Sequence, residues 1–330
     1  MLKVAMLSYW HVHAPDYTRQ LKALDNVKIT SIWDEEPDRG KKWADDIGAD
    51  FEQNLDTLLK RDDVDAVVVN APTNLHPEIM IAAAQAGKHI FTEKVMAITV
   101  KECKAIADAV NKAGVKFCIS FPHRTMPHNL FAKKVVDEKL IGDITLLRIR
   151  NAHNGAVANW LPDHFYDPNA CGGGAMIDLG AHGMYLSRWL LGKPARITSM
   201  FNHFTGKEVE DNAISVIEFK NKAVAVTETG FVSSHSPFSL ELYGTEGSLL
   251  IGGPENKVRI MSNKLDCPIS GWITPSQLPD PLPSPINQWV DGILNGTKIE
   301  FGLEEGIQLT ELMEAAYKSY KEGRMVEFES

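Results

Sequence analysis

Residues 65–94, with the sequence DAVVVNAPTNLHPEIMIAAAQAGKHIFTEK, contain one complete strand–helix–strand unit. The apolar run Asp65–Asn70 is followed by a helical segment, Pro77–Ala86, and by a second apolar run, His89–Thr92. Gly87 follows the helical segment and is its expected C-terminal stop. Short apolar runs that alternate with helical segments are typical of a parallel sheet with helices on both faces.

The same alternation extends outward over residues 1–121. Apolar runs at Lys3–Leu7, Val27–Trp33 and Lys116–Phe121 predict further strands, and the segments between them predict helices. We therefore predict an N-terminal α/β domain with a doubly wound parallel sheet, the Rossmann arrangement, and right-handed crossovers.

The pattern changes after Phe121. A long helix is predicted over Gly174–Leu191, and β-rich runs follow it in close succession from residue 197 to residue 251. Sequential strands joined by short turns favour an antiparallel sheet. We predict a second domain over residues 122–330, of the α+β class, with a large and mainly antiparallel sheet. Its outer face is expected to support a homodimer or homotetramer.

Composition narrows the class of protein. The 330 residues are 44% hydrophobic and 23% charged, with a formal net charge of −9, which is typical of a globular protein and argues against nucleic-acid or membrane partners. The four cysteines, Cys103, Cys118, Cys171 and Cys267, have no CxxC spacing and are expected to be reduced. The N-terminus lacks the pattern of a secretory leader, so we expect a cytoplasmic protein.

The loop after the first strand differs from a typical dinucleotide-binding loop. A Rossmann domain normally carries G-x-G-x-x-G there, whereas this chain has Ser8-Tyr9-Trp10-His11-Val12-His13. The following helix can still hold a phosphate through its N-terminal amides. Ser8, His11 and His13 are candidate hydrogen-bond donors to phosphate, and Trp10 is expected to lie against it.

Asp34 ends the second predicted strand, where a carboxylate can chelate a ribose diol. Because Asp34-Glu35-Glu36 would repel a 2′-phosphate, NAD is favoured over NADP as the cofactor. The alternative interpretation is a solvated acidic turn.

Two further segments carry groups suited to proton-coupled chemistry. Lys94 follows the strand His89–Thr92, and Asp178 and His182 stand four residues apart after the glycine run 172–174. That spacing places the carboxylate and the imidazole on one face of a helix. Ammonium, carboxylate and imidazole together can bind and deprotonate a hydroxyl group.

These segments resemble the glucose-fructose oxidoreductase / inositol dehydrogenase (Gfo/Idh/MocA) family. The resemblance is carried by the loop from Asn70 through Pro72 to His76, by Ala-Gly-Lys-His at residues 86–89, by Glu93-Lys94, by G-G-G-x-x-x-D-x-G-x-H at residues 172–182, and by Tyr-Gly-Thr-Glu-Gly-Ser at residues 243–248. The chain departs from the family at Val95, where a proline is usual, and at Tyr185, where the family has aspartate. The departure at Val95 suggests a looser lysine loop.

The resemblance implies an NAD-dependent oxidoreductase that acts on a hydroxyl group of a sugar, sugar derivative or cyclitol. His182 would accept the hydroxyl proton, Lys94 would stabilise the oxygen, and Asp178 would hold a neighbouring hydroxyl group. Asn70, Pro72, His76 and Glu93 would contact the cofactor together with Lys94.

Additional substrate contacts are expected on two other segments. Arg124 follows the last strand of the first domain, beside His123, and His153, Asn154 and Trp160 precede the glycine run. Sugar sites favour an aromatic face with imidazole and amide donors close by.

Three alternatives remain open. A ligand-sensing protein could keep the fold and lose turnover, which the missing glycines favour and the intact Lys94, Asp178 and His182 disfavour. An NAD-assisted lyase or glycosidase could use a transient keto intermediate. His11-x-His13 together with Asp178 could hold zinc in an amidohydrolase-like barrel, but the strands do not suit an eight-fold barrel, so we expect no metal.

Overall fold

The computed structural model describes residues 1–265 and 271–329. The helices are α1 (Ala14–Lys22), α2 (Pro37–Ile47), α3 (Leu55–Leu59), α4 (His76–Gln85), α5 (Val100–Ala113), α6 (Pro127–Asp137), α7 (Pro168–Cys171), α8 (Ala181–Leu191), α9 (Pro285–Leu294) and α10 (Leu303–Glu322). The strands are β1 (Leu2–Leu7), β2 (Val27–Trp33), β3 (Asp50–Phe51), β4 (Ala66–Val69), β5 (His89–Thr92), β6 (Phe117–Ile119), β7 (Ile144–Ala152), β8 (Pro194–Asn202), β9 (Asn212–Phe219), β10 (Val224–Gly230), β11 (Ser239–Gly244), β12 (Gly247–Gly252), β13 (Lys257–Ser262) and β14 (Val326–Glu327).

The first sheet has six parallel strands in the order β3-β2-β1-β4-β5-β6. Its central strand β4, AVVV, is fully buried, as expected when helices cover both faces of a parallel sheet. The direction of strand order reverses between β1 and β4, which is the point where open α/β sheets bind ligands. The predicted doubly wound Rossmann fold is confirmed.

Local sequence sets the ends of the helices on this sheet. At the start of α5, the Thr99 side chain accepts from the Glu102 backbone N–H at 3.2 Å, and the Glu102 carboxylate accepts from the Thr99 N–H at 2.9 Å. This reciprocal pair satisfies two helix N-terminal donors. After α4, Gly87 has a φ of +73°, which confirms the predicted glycine stop.

The second sheet has eight strands in the order β13-β12-β11-β7-β10-β9-β8-β14. Among the strand pairs of the described residues, only β7–β10 is parallel, so the sheet is mainly antiparallel as predicted. Along β9, buried and outward-facing residues alternate, because one face of the sheet is covered by the protein's own helices. Gly183 of α8 lies close to Thr227 of β10 on that covered face.

The prediction of one continuous helix over Gly174–Leu191 requires a correction. The structure has a π-helical turn, Met176–Gly180, and the regular helix α8 begins only at Ala181. The sequence also gave no indication of the two short strands β3 and β14 or of α9. Each of them depends on neighbours that are distant in sequence.

Contacts divide the described chain into two units. The first unit contains Met1–Phe121 and Pro283–Thr310, and the second contains Pro122–Leu282 and Glu311–Ser330. The chain therefore returns to the first unit after the predicted boundary at residue 121. The physical reason is α9, whose buried Trp289 packs on Phe91 of β5 with ring centroids 5.8 Å apart.

In the described residues, no helix combines the length and apolar character needed to cross a membrane.

Three of the cysteines, Cys103, Cys118 and Cys171, are buried thiols. Burial raises the pKa of Cys118 well above its usual value. Cys267 lies outside the described residues.

Candidate active site

Polar residues follow four neighbouring strands of the first sheet at one edge. Ser8 follows β1, Asn70 follows β4, Glu93 follows β5 and Ser120 follows β6. Since all of these strands are parallel, their carboxyl ends lie at the same edge of the sheet. Ligands of open α/β sheets bind at this edge.

The glycine-free loop after β1 is held by hydrogen bonds within the unit. Ser8 has a φ of +75°, a backbone conformation that normally favours glycine. Its hydroxyl accepts from the Trp10 N–H at 3.0 Å, and the His11 N–H donates to the Asn70 carbonyl at 3.1 Å. Trp10 is buried rather than directed into solvent. Ser8 therefore has the backbone conformation of the first glycine in G-x-G-x-x-G. Trp10 stands at the second glycine position, where its ring occupies space that glycine would leave open.

The side chains of His11 and His13 lie against Glu93. His13 Nδ1 is 2.8 Å and His11 Nδ1 is 3.9 Å from Glu93 Oε1. The Tyr17 hydroxyl donates to the same oxygen and lies 2.7 Å from Ser120 Oγ. Glu93 Oε2 accepts from the Lys94 backbone N–H at 2.8 Å. Glu93 is thus the centre of a buried polar network.

The charges in this network move two pKa values in opposite directions. Burial alone would raise the pKa of Glu93, but the positive charges of His11 and His13 and the hydrogen bond from His13 hold it well below its usual range. Burial, followed by the charge of Glu93, raises the pKa of Tyr17 well above its usual value. Glu93 is therefore a carboxylate and Tyr17 a protonated donor at neutral pH.

Asp34 is buried and meets four donors. Its Oδ2 accepts from the Tyr9 N–H at 2.9 Å and from Arg39 Nε at 3.0 Å. Its Oδ1 accepts from the Glu36 N–H at 2.9 Å and from Arg39 Nη2 at 2.7 Å. Asp34 is therefore a fixed carboxylate, and the acidic turn around it is not simply solvated. Sequence reasoning missed Arg39, which lies within α2, five residues beyond Asp34.

The loops after β4 and β5 are joined by His76. One ring nitrogen is 3.0 Å from the Ala71 carbonyl, and the other is 3.0 Å from the Val95 carbonyl. Burial lowers the pKa of His76. Pro72 lies between Ala71 and the short 3₁₀ turn Thr73–Leu75 that leads into α4. His76 thereby fixes the spacing of two loops at the ligand edge.

The lysine loop is buried, in contrast to the looser loop expected from the absence of proline. Val95 is buried and hydrogen-bonded to His76 through its carbonyl, and the Lys94–Val95 peptide bond is cis. Lys94 itself is 5% exposed. A lysine is rarely this buried without a partner or a function, because desolvation of an ammonium group is costly.

In the second unit, Glu210 organises the glycine run. Its Oε1 accepts from the Gly174 N–H at 3.0 Å, the Met176 N–H at 2.9 Å and the Tyr317 hydroxyl at 2.6 Å. A Cβ at Gly174 would lie only 2.1 Å from the Glu210 carbonyl oxygen, and one at Gly173 would lie 1.9 Å from the Tyr317 hydroxyl. These glycines are required for close approach, and they position the π-helical turn that carries Asp178.

His182 lies in the first turn of α8 and is buried. Its Nδ1 is 2.9 Å from the Tyr185 hydroxyl oxygen, which also accepts from the His123 backbone N–H at 3.2 Å. The His123 ring stacks on the His182 ring with centroids 4.4 Å apart. Tyr185, noted in the sequence only as a departure from the family, thus fixes the orientation of the imidazole.

The other predicted substrate residues of this unit lie in two separate groups, one at Arg124 and one around Trp160. Arg124 has its guanidinium carbon 5.1 Å from the centre of the Trp189 ring. Trp160 Nε1 donates to Asn154 Oδ1 at 3.1 Å, and its ring lies 4.6 Å from the His153 ring. His153 and Asn154 line an open pocket of about 500 Å³ together with Ala152, Ser233, His235, Ser236, Pro237 and Pro254.

The negative charge of Asp178 acts on His153. Burial lowers the pKa of His153, and the charge of Asp178 partly offsets that effect. The second unit thus brings a carboxylate, an imidazole and an aromatic ring into one neighbourhood. The residue types predicted from sequence are present there, while Glu210 and Tyr317 were not predicted because nothing in their local sequence marks them.

Comparison with known families gives two matches. Residues 7–121 match the oxidoreductase family with an NAD-binding Rossmann fold, and residues 130–250 match the GFO/IDH/MocA C-terminal domain. Together these segments cover most of the chain, and they lie mainly in the first and second units respectively.

Individual relatives agree with the family match. The chain is 28% identical over 275 residues to scyllo-inositol 2-dehydrogenase (NAD(+)) of Bacillus subtilis, covering 80% of this chain and 76% of the relative. It is 28% identical over 232 residues to 1,5-anhydro-D-fructose reductase of Ensifer adhaerens, covering 68% of each. The crystal structure of GenD2 from gentamicin A biosynthesis in complex with NAD matches with a TM-score of 0.84 and 25% identity, covering 100% of this chain and 97% of that one. The chain belongs to the GFO/IDH/MocA oxidoreductase family.

Proposed function

We propose that this protein is an NAD-dependent oxidoreductase that acts on a hydroxyl group of a sugar, sugar derivative or cyclitol. The observation that carries the proposal is the burial of Lys94 directly after β5, at the ligand edge of an NAD-binding Rossmann fold. A buried ammonium group can stabilise the negative charge that develops on a substrate oxygen.

The residues at the ligand edge fit a nicotinamide dinucleotide. Ser8 has the positive φ of the glycine it replaces. Asn70 is completely buried, and within the described structure neither polar atom of its amide has a hydrogen-bond partner. An unmatched buried amide costs folding free energy, so its presence at this edge favours a ligand. Pro72 and His76 shape the adjoining loop.

The surroundings of Asp34 favour NAD over NADP. Arg39 contacts three carboxylates, those of Asp34, Glu35 and Glu36, so a single guanidinium faces a net negative group. A 2′-phosphate would be repelled by that excess charge. Asp34 is already oriented by its hydrogen bonds. Its partner Arg39 is more exposed than Asp34 itself, and a ribose diol would displace this arginine.

We propose for these residues the catalytic roles that the family resemblance implies. When bound, the nicotinamide supplies or accepts the hydride. Lys94 would hydrogen-bond to the reacting oxygen, and His182 would accept the hydroxyl proton at Nε2 while Nδ1–H donates to Tyr185. Asp178 would hold a neighbouring hydroxyl group. Arg124, His153 and Trp160 are proposed to contribute substrate contacts in the second unit.

The first test is a titration of the folded protein with NADH and NADPH. Binding is monitored by energy transfer from tryptophan to the reduced nicotinamide. We expect NADH to bind in the micromolar range and NADPH more weakly, and a polyol screen with NAD should then give turnover. His203→Ala is the matched control, because His203 is exposed on the second unit and outside the proposed site.

Two results would redirect the proposal. If neither dinucleotide binds, the ligand-sensing alternative becomes the better explanation. In the second case, NAD binds and product forms, but no net NADH accumulates. The protein then uses the transient keto route of a lyase or glycosidase.

A further inference from the structure

A group of three potential metal ligands lies at the ligand edge of the first unit. His11 and His13 come from the loop after β1, and Glu93 comes from the position after β5. One ligand atom from each residue lies within 4.8 Å of the other two. We refer to His11, His13 and Glu93 as the His–His–Glu cluster.

The spacing of the ligand atoms suits a small divalent cation. Two ligands of a tetrahedral zinc ion, each with a bond of about 2.0 Å, lie about 3.3 Å apart. In the His–His–Glu cluster, His13 Nδ1 and His11 Nδ1 lie 2.8 and 3.9 Å from Glu93 Oε1, on either side of that value. The three ligand atoms, which lie within 4.8 Å of one another, would close around a bound ion.

The loop conformation already turns both imidazoles to the same side. The His13 backbone N–H donates to His11 Nδ1 at 3.2 Å, a hydrogen bond that an ion bound at this nitrogen would replace. The two rings meet edge to face with centroids 4.7 Å apart. Residues two positions apart in an extended strand would also share a face, but here a compact turn brings the rings into contact. His13 stands at the third glycine position of the expected motif, which normally serves close packing of the helix on the strand, and its imidazole is a potential metal ligand.

Glu93 is held for this role by its neighbours. Its Oε2 accepts from the Lys94 N–H, and the Tyr17 hydroxyl donates to its Oε1. Hydrogen bonds of this kind orient the ligands of metal sites. His11 and Glu93 are buried, whereas the His13 side chain is 46% exposed and leaves a path from solvent.

We propose that the His–His–Glu cluster binds one divalent transition-metal ion of the zinc type. The ion would take the place of the proton shared between His13 and Glu93. Two imidazoles and one carboxylate are the ligand set of catalytic zinc sites that keep a further position open. With one carboxylate ligand the loaded site has a net charge of +1, and Lys94 adds to it, so the open position favours an anionic oxygen ligand.

This proposal revises the metal-free expectation from sequence, which had combined the two histidines with Asp178 in a barrel. The structure supplies a different carboxylate, Glu93, which lies 80 residues after His13 along the chain. These three ligands are residues that the sequence assigned to the cofactor. The metal titration contains no dinucleotide, so its outcome does not rest on the proposed oxidoreductase activity.

The test uses untagged full-length protein stripped with EDTA and titrated with Zn²⁺ by calorimetry and with Co²⁺ by visible absorption. We expect one ion per chain, a Co²⁺ spectrum of low-coordinate nitrogen and oxygen ligands, and a raised melting temperature in the wild type. His13→Ala and Glu93→Gln should lose the site. Tyr17→Phe should weaken it by about 10–100-fold.

His203→Ala is the control for nonspecific imidazole binding and should behave as the wild type. His13→Ala keeps the test valid if Glu93→Gln does not fold, because His13 is half-exposed. The proposal is overturned if the wild type shows no saturable binding of either ion, or if His13→Ala binds both ions with wild-type affinity and spectrum.

Discussion

At the scale of single residues, contacts within the second unit fix the orientation of the His182 imidazole. His182 is stacked on His123 and hydrogen-bonded through Nδ1 to Tyr185, so its ring has one orientation. Family members are expected to have aspartate at position 185, and the phenol is a neutral replacement. The consequence is an orienting group that does not add negative charge to the site.

We predict that His182→Ala lowers turnover by about 10²–10⁴-fold, the usual contribution of a general base. Dinucleotide binding should be nearly unchanged, since His182 belongs to the second unit and the Rossmann fold to the first. Steady-state kinetics on the true substrate and an NADH titration measure the two effects. Wild-type turnover in the variant would remove His182 from the mechanism.

Tyr185 gives a second prediction at this scale. Tyr185→Phe removes the partner of Nδ1 and should lower kcat with little change in KM. Tyr185→Asp should restore much of the rate, and its carboxylate should stabilise the imidazolium, moving the acid limb of the pH–rate profile for oxidation to higher pH. The pH–rate profiles of the wild type and the two variants measure both effects. A phenylalanine variant with an unaltered kcat would show that the hydroxyl group does not orient the base.

At the scale of elements, the open face of the second sheet carries ion pairs between β7 and β10. Arg148 Nε is 2.6 Å from Glu228 Oε1, and Arg150 Nη1 is 3.2 Å from Glu228 Oε2. Burial alone would raise the pKa of Glu228, but the hydrogen bonds and charges of the two arginines lower it below its usual value. A carboxyl group with a lowered pKa in the folded state stabilises that state only while it is ionised.

The pH dependence follows from this direction. The contribution of Glu228 is fully present above the unfolded-state pKa of about 4.3 and is lost as the pH falls through the lower folded-state value. Glu228→Gln should therefore lower the free energy of unfolding by about 0.2–1 kcal/mol at pH 7, because the arginines are partly exposed. Urea unfolding from pH 7 to pH 3.5 should show the difference shrinking. A difference that grows on acidification would refute the assignment.

At the scale of the whole molecule, the outer face of β8 and β9 carries an apolar patch. Met200 is 73% exposed and pairs in register with Ile214, which is 38% exposed, and Val216 continues the patch. Exposed apolar patches of this kind mark interaction surfaces. We therefore retain the homodimer or homotetramer as a prediction.

Light scattering after size exclusion should give a mass of two or four chains for the wild type. Ile214→Glu should shift the protein to a smaller species, because a buried unpaired carboxylate opposes association. Leu294→Glu is the control, since Leu294 is similarly exposed on the first unit. A monomeric wild type at micromolar concentration would exclude the prediction.

The sequence was sufficient for the properties that depend on neighbours along the chain. Alternating apolar runs and helical segments predicted the parallel sheet, and β2 and β5 have the predicted bounds. Lys94, Asp178 and His182 are predicted as catalytic candidates from the spacing of their motifs. Such features are set by backbone periods and capping residues that act over a few positions.

The tertiary structure decided which distant side chains meet. The contact of His13 with Glu93, the burial of Asp34 against Arg39 and the return of α9 to the first sheet all join segments whose local sequences carry no sign of each other. A buried charge or an apolar helix face is stable only against a specific partner, and that partner is supplied by the folded chain rather than by the neighbouring residues. The fold was therefore predictable from sequence, as were the residues proposed for catalysis, while the juxtaposition behind the proposed metal site required the assembled sheet edge.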